Sequence, residues 1–318
     1  MCSWRIFKWV RTFLMVCMLG ATPVMAQDFP SRPIELIVGF APGGGTDMTA
    51  RALANGNTKY LGQPIVVTNK AGASGTLAAQ YVTSAKPDGY TLLVGGGSET
   101  IAVGHFRKLP YDPVGDFECV MNVVRQSISF SVRADSPWKT FQDFVADAKK
   151  NPDKYSYASS GVGSLYHAAG MVLEKKTGIR LRHVPFKGGA ETLTGVLGGH
   201  VDLAVSAPDE AFALIEAKKV RPLVVFSATR DALIPDVPTL KEVGIDFYME
   251  NMKGLMAPKG TPKAVVQKIH DGVKRMMAED PAFRDSLKKV NLEMRYLNGE
   301  DFRKALQFMY ALIGEGVK

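Results

Sequence analysis

Cysteine is nearly absent from this chain, and its scarcity sets the first limit on the fold. Three occur in 318 residues, and two of them, Cys2 and Cys17, fall in what reads as an export leader. Cys119 then stands alone, so no intramolecular disulfide can form, and the exported chain must be held by its core. A buried, unreactive thiol is the expected state of Cys119. The 46% hydrophobic composition is adequate for such a core. Long apolar runs are missing too. The stretch opening at Thr12 to Met18 is broken by Gly20 and Pro23, short of the roughly 18–20 residues that a membrane span needs. Arg5, Lys8 and Arg11 precede it and Val24-Met25-Ala26 follows, the order of a cleaved secretory signal peptide over residues 1–26. A periplasmic location is therefore expected.

Other absences exclude whole classes of function. His105, His167, His183, His200 and His270 are dispersed, with no His-x-x-x-His or cysteine pairing, so no metal site is expected. Arg-rich tracts and interleaved aromatics are lacking. Of 39 Lys and Arg, three lie in the leader, and against 31 Asp and Glu the mature chain carries a net +5. These charges are scattered over helix faces, as at Lys149, Lys150, Lys218 and Lys219. Nucleic acid is not an expected partner, although a mild positive field helps draw in an anionic solute. Gly43-Gly44-Gly45 has neither a P-loop ending nor the spacing of a dinucleotide fingerprint, so no cofactor is expected. No Gly-x-Ser-x-Gly elbow presents a nucleophile.

The 292 residues left by removing the 26-residue leader suffice for two modest domains. Strands at Ile34–Val38, Ile65–Thr68 and Tyr90–Val94 alternate with helices near 46–61 and 75–85, an order that argues for a parallel sheet covered on both faces. The order resumes near Val132. Thr140 and Asp143 form a capping box, and Phe141, Phe144, Val145 and Ala148 make one helical stripe. Further helices are expected near 190–197, 209–218, 262–278 and 301–313. No Ser/Gly linker separates the halves. Two crossings, near Arg125 to Ser131 and Val224 to Ser227, divide the mature chain into a first lobe of 27–125 with 226–318 and a second of 126–225. The fold class read from this pattern is α/β, two lobes each built on a mostly parallel sheet flanked by helices.

Two glycine-and-hydroxyl turns stand where a strand gives way to a helix: FAPGGGTDMTAR over 40–51 and SSGVGSLYHAAG over 159–170. Each aims free backbone amides, backed by hydroxyls, at a helix start, which attracts anions. Asp47 has two rival roles, capping its own helix or accepting a ligand amine or bridging water. Lys187 is either a solvated loop residue or a contact for a ligand carboxylate. Ser164 with His167 three residues later, on the same helical face, is the one pairing that an exported hydrolase could use.

The motifs occur in a recognisable order. Pro42-Gly43-Gly44 with Thr46-Asp47 and Arg51 comes first, then Gly62-Gln63-Pro64 and Pro87-Asp88-Gly89-Tyr90. Leu109-Pro110-Tyr111-Asp112-Pro113, Ser159-Ser160-Gly161-Val162-Gly163-Ser164, Val184-Pro185-Phe186-Lys187-Gly188 and Val237-Pro238-Thr239-Leu240 follow. Over nearly its whole mature length the chain resembles the solute receptors of tripartite tricarboxylate transporters, the TctC or Bug family. The resemblance implies a periplasmic-binding-protein fold of type II and a small carboxylate in the cleft: a di- or tricarboxylate, acidic amino acid or aromatic acid. It also implies a membrane permease of the tripartite tricarboxylate type as partner, and a monomer. A sensor for a signalling partner is the other receptor role open to such a chain. Carried over by position, the ligand contacts are Phe40, Pro42, Gly43, Gly44, Thr46 and Asp47 with Ser98 from one lobe, and Ser159, Ser160, Gly163 and Ser164 from the other. Gly39 and Phe186 depart from the family pattern, as does the stretch at Ser98-Glu99-Thr100. Facing the cleft, Glu99 would repel a second ligand carboxylate or pair with an amino group.

Overall fold

The computed structural model describes residues 29–317; the expected signal peptide over 1–26 lies outside them. Strand β1 (Ile34–Val38) is almost wholly buried, as befits a strand covered on both faces, and leads through a turn into α1 (Gly45–Leu61). Gly62, at φ 82°, ends α1 in a left-handed cap that bonds back to the Thr58 carbonyl. Strand β2 (Ile65–Asn69), helix α2 (Thr76–Thr83), strand β3 (Thr91–Gly95), the single turn α3 (Ser98–Ile101) and the long strand β4 (Phe117–Gln126) follow.

The chain then enters a second sheet with β5 (Ser129–Arg133), α4 (Phe141–Lys150), β6 (Ser156–Ser159), α5 (Leu165–Thr177), β7 (Arg182–Pro185), α6 (Gly189–Leu197), β8 (Leu203–Ser206), α7 (Pro208–Glu216) and β9 (Val220–Val225). It returns through β10 (Asn251–Pro258), α8 (Lys263–Glu279), α9 (Pro281–Lys289), β11 (Glu293–Asn298) and α10 (Gly299–Val317). The capping box at α4 is present in both directions, and Phe141, Phe144 and Ala148 are its buried stripe.

The two sheets run β11-β4-β10-β3-β1-β2 and β7-β6-β8-β5-β9. The architecture is α/β with helices flanking both sheets, as expected, but strand direction is mixed rather than mostly parallel. Only β2-β1-β3 and β7-β6-β8 pair in parallel. The antiparallel pairings involve β4, β5, β9 and β10, the strands that border the two crossings, together with β3, β8 and β11 as their neighbours. A strand that carries the chain directly into another sheet has no covering helix to reverse it. The crossings are tied to each other, since the Phe226 amide donates to the Ile128 carbonyl at 2.9 Å.

One apolar core runs through both sheets. It includes Ile37, Leu93 and Phe117 beside the first, Phe130, Phe144, Tyr157 and Leu203 beside the second, and Phe302 and Ile313 of α10. Helix α10 also reaches α5, where the Lys175 ammonium donates to the Glu315 carbonyl at 2.9 Å. Cys119 is buried and free, and burial pushes its thiol up to about 11. At fully burying side chains worth about 1.5–3 kcal/mol each, this shared core holds the exported chain without disulfides.

Beneath α5 the rings of His167 and His183 stack at 3.9 Å between centroids, with Tyr157 at 5.0 Å from His183. Burial holds both histidines down, to about 4, and the His167 ring adds to this for His183. The folded state thus refuses protons that the unfolded chain accepts from the ordinary value of 6.5 downward. Stability is present above that value and is lost as pH falls towards 4. Melting temperature is expected to drop over this window more in the wild type than in a His167→Gln/His183→Gln double variant; parallel pH profiles would refute it. Gly170 packs its bare Cα on the Tyr157 ring, which leaves no room for a methyl group. Gly170→Ala should lower the urea unfolding free energy by about 1–3 kcal/mol through overpacking.

Candidate functional site

Parallel strands β1, β3, β6, β7 and β8 all end towards one crevice, the usual ligand position in α/β sheets. A cavity of about 490 Å³ lies there, within the common range for small-molecule sites. Its first wall is the turn between β1 and α1. Gly43 occupies φ 87°, which favours glycine, and its amide donates to Asp47 Oδ2 at 2.9 Å. Asp47 Oδ2 also accepts from Arg51 Nε at 2.8 Å, and Oδ1 accepts from Asn69 Nδ2 at 2.9 Å. Burial by itself would raise the Asp47 carboxyl, but Arg51, the Gly43 amide and Asn69 outweigh it and hold the group below the carboxylate range. Of its two rival roles, Asp47 takes the structural one: it pins the turn from behind.

Phe40, Pro42, Gly43, Gly44 and Thr46 line the cavity, as do Ser98 and Ser160. Asp47, Ser159, Gly163 and Ser164 are not among the lining residues. The reason is local saturation of the second turn. Ser164 Oγ accepts from the His167 amide at 3.1 Å, and Gly163 N–H donates to His167 Nδ1 at 3.1 Å. Ser159 Oγ lies 2.7 Å from His183 Nε2. The Leu165 amide, first of α5, donates across the crevice to Ser98 Oγ at 3.0 Å. Ser164 and His167 therefore meet as hydroxyl and backbone amide, not as hydroxyl and imidazole.

From the second sheet, the start of α6 contributes most of the lining, beside Tyr166 of α5 and Glu210 of α7. Lys187, Gly188, Gly189, Ala190 and Glu191 line the cavity, and Gly188 caps the helix without a side-chain bond. The same holds for Gly44 at α1. A glycine cap takes no helix amide, whereas the Ser164 cap of α5 takes one; at α1 the Gly45 amide is nonetheless bonded to the Glu210 carboxyl. Gly188-Gly189 before an expected helix was the sequence signal for this wall.

The floor is charged. Glu99, Glu210 and Lys253 line it, and Asp209 stands beside them, bonded at 2.8 and 2.9 Å by Gln126 Nε2. Lys253 Nζ donates to Thr46 Oγ1 at 2.9 Å, Glu99 Oε1 accepts the Gly96 and Gly97 amides at 3.0 and 3.1 Å, and Asn251 Nδ2 donates to Gln126 Oε1 at 3.0 Å. Burial pushes Glu99 and Glu210 up, and burial together with the Glu210 charge does the same to Asp209. Lys253 is pushed down by burial despite its acidic neighbours. Sequence reasoning missed Gln126, Tyr166, Glu210, Asn251 and Lys253. A lone lysine inside the apolar run Met252 to Ala257, and the Asp209-Glu210 pair just after a buried strand, were the available signals. Among the described residues no three His, Cys, Asp or Glu side chains are grouped to hold a metal ion.

Comparison with known proteins places this geometry. Residues 49–313 match the model of the tripartite tricarboxylate transporter family receptor. The chain is 41% identical over 291 residues to a Cupriavidus necator protein described as "UPF0065 protein in gbd 5'region", covering 89% of this chain and 86% of that one. Among solved structures, it is similar to MatC from Rhodopseudomonas palustris with bound malate, at 31% identity and TM-score 0.82, covering 91% of this chain and all of the other. A second R. palustris protein, solved with adipate, matches at 28% identity and TM-score 0.80 over 91% of this chain and 98% of the other. With a matching family model over most of its length and the two-lobed type II fold of periplasmic binding proteins, the chain belongs to the TctC family of solute-binding receptors.

Proposed function

We propose that this chain captures a small carboxylate between a first lobe of 27–125 with 226–318 and a second of 126–225, and delivers it unchanged to a membrane permease of the tripartite tricarboxylate type. It does so as a monomer in the periplasm, after removal of residues 1–26. The observation that carries this reading is the pair of uncapped glycine helix starts, Gly43–Thr46 and Gly188–Ala190, on the wall of one cavity. The malate and adipate held by two similar proteins agree with it in ligand class.

Of the residues expected at the ligand, Phe40, Pro42, Gly43, Gly44, Thr46, Ser98 and Ser160 form the contact surface in this reading. Asp47, Ser159, Gly163 and Ser164 hold those contacts in place. Attraction at a helix start contributes about 0.3–1 kcal/mol per charge, whereas micromolar affinity needs about 8 kcal/mol. Direct and water-bridged hydrogen bonds in the closed, dry cleft must supply the difference.

Calorimetric titration with a carboxylate panel that includes malate and adipate tests the reading, and no heat from any member would reject it. A side chain at Gly44 is tolerated by the backbone, since φ is −81° and a Cβ there meets nothing closer than 3.9 Å. Gly44→Leu should therefore fill the cavity, weaken binding tenfold or more and leave the melting temperature nearly unchanged. Ser164→Ala should do the reverse: unchanged affinity, with about 1 kcal/mol of stability lost with the cap.

A further inference from the structure

The cavity floor holds more negative charge than a receptor for dianions needs. Glu99 comes from α3, Asp209 and Glu210 from α7, and the one ammonium that is buried among them is that of Lys253 on β10. Lys187 and Glu191, at the start of α6, balance each other in sign. Tyr166 of α5 completes the surrounding titratable groups. Three carboxyl groups therefore face a single lysine, and a second carboxylate on the ligand would add to the imbalance.

The unpaired atoms at this floor are all acceptors. Glu99 Oε2, Glu210 Oε2 and Asn251 Oδ1 are shielded from solvent and receive no hydrogen bond, although all three residues line the cavity. Glu99 is 2% exposed and Asn251 7%. Two of these atoms converge: a Cβ placed on Gly97 would lie 2.8 Å from Asn251 Oδ1 and 3.5 Å from Glu99 Oε2. Three nearby donors are committed elsewhere, the Gly96 and Gly97 amides to Glu99 Oε1 and the Asn251 amide to Gln126. Buried acceptors without donors are costly, and a buried carboxylate without a cation more so.

We propose that the solute carries a protonated amine as well as its carboxylate, and that the amine lodges against Glu99, Asn251 and Glu210. The receptor then prefers an amino acid of zero or positive net charge to a dicarboxylate. This rests on the carboxylate-receptor reading, with the ligand carboxylate at the glycine helix starts. An ammonium brings three N–H donors and one positive charge, which matches both deficits. An ammonium favours the charged carboxylates that burial disfavours at Glu99, Asp209 and Glu210, so its arrival shifts these groups towards proton release.

The test is calorimetry on the mature wild-type protein with matched pairs: adipate and 6-aminohexanoate, succinate and 4-aminobutyrate, pentanoate and 2-aminopentanoate. Repeating each titration in two buffers of different ionisation heat counts the protons exchanged. The expected result is at least one pair whose amine-bearing member binds tenfold or more tighter and releases protons. Glu99→Gln should remove most of that preference, and Glu210→Gln serves if the first variant does not fold. Amine-bearing members that bind no better in any pair, or dicarboxylates that bind with proton uptake, overturn this inference and leave the carboxylate receptor standing. No binding by any compound overturns both.

Discussion

Drawing four ionisable side chains, two buried and two half-buried, to the meeting of two sheets is the constraint around which the rest of this molecule is arranged. Glu99, Asp209, Glu210 and Lys253 come from elements far apart in the chain, and none would leave water without compensation. Gln126, the last residue of β4, answers Asp209 of α7, while Thr46 at the start of α1 answers Lys253. The Gly45 amide lies against the Glu210 carboxyl. These contacts bind the helix starts of one sheet to those of the other. They also explain two glycines: a Cβ at Gly45 would meet the Gln126 amide at 2.5 Å, and one at Gly189 would overlap the Glu210 carboxyl.

Whether a helix start can serve a ligand depends on what already occupies its amides. Helix α5 begins at a serine cap, with Gly163 turned onto His167 and Leu165 onto Ser98. Its donors are consumed, and the turn becomes a buttress. Helices α1 and α6 begin at glycines that offer no side-chain acceptor, so no cap takes their amides, although the Gly45 amide of α1 is bonded to the Glu210 carboxyl. The contrast is chemical, since a hydroxyl that stabilises a helix by about 1 kcal/mol does so by taking the donor an anion would use.

Ser98 and Asp47 each hold a turn beside the cavity by accepting a backbone amide. Ser98 lines the cavity and caps α5 from across the crevice. Asp47, an acid next to an anion-attracting turn, is neutralised in effect by Arg51 and Asn69, which lets the turn keep its positive character. The stack of His167 on His183 adds a rigid base under the second turn.

Periodicity and turn chemistry made most elements legible beforehand. The stripe of Phe141, Phe144 and Ala148, the stop at Gly62 and the glycine turn after β1 depend on neighbours within a few residues, and local sequence encodes them fully. Strand β4 was hidden by Glu118, Asn122 and Arg125, which break its apolar pattern because Arg125 is paired with Glu250 and Glu293 from distant segments. The sequence by itself determined that two α/β halves would carry glycine-started helices and that the family was that of carboxylate receptors. Only the tertiary structure decided which of those helices opens on the cavity, and that acids meet a lone lysine at its floor. Amide saturation and burial of charge are set by groups far apart in the chain, up to about two hundred residues as for Thr46 and Lys253, and no local pattern records such neighbours.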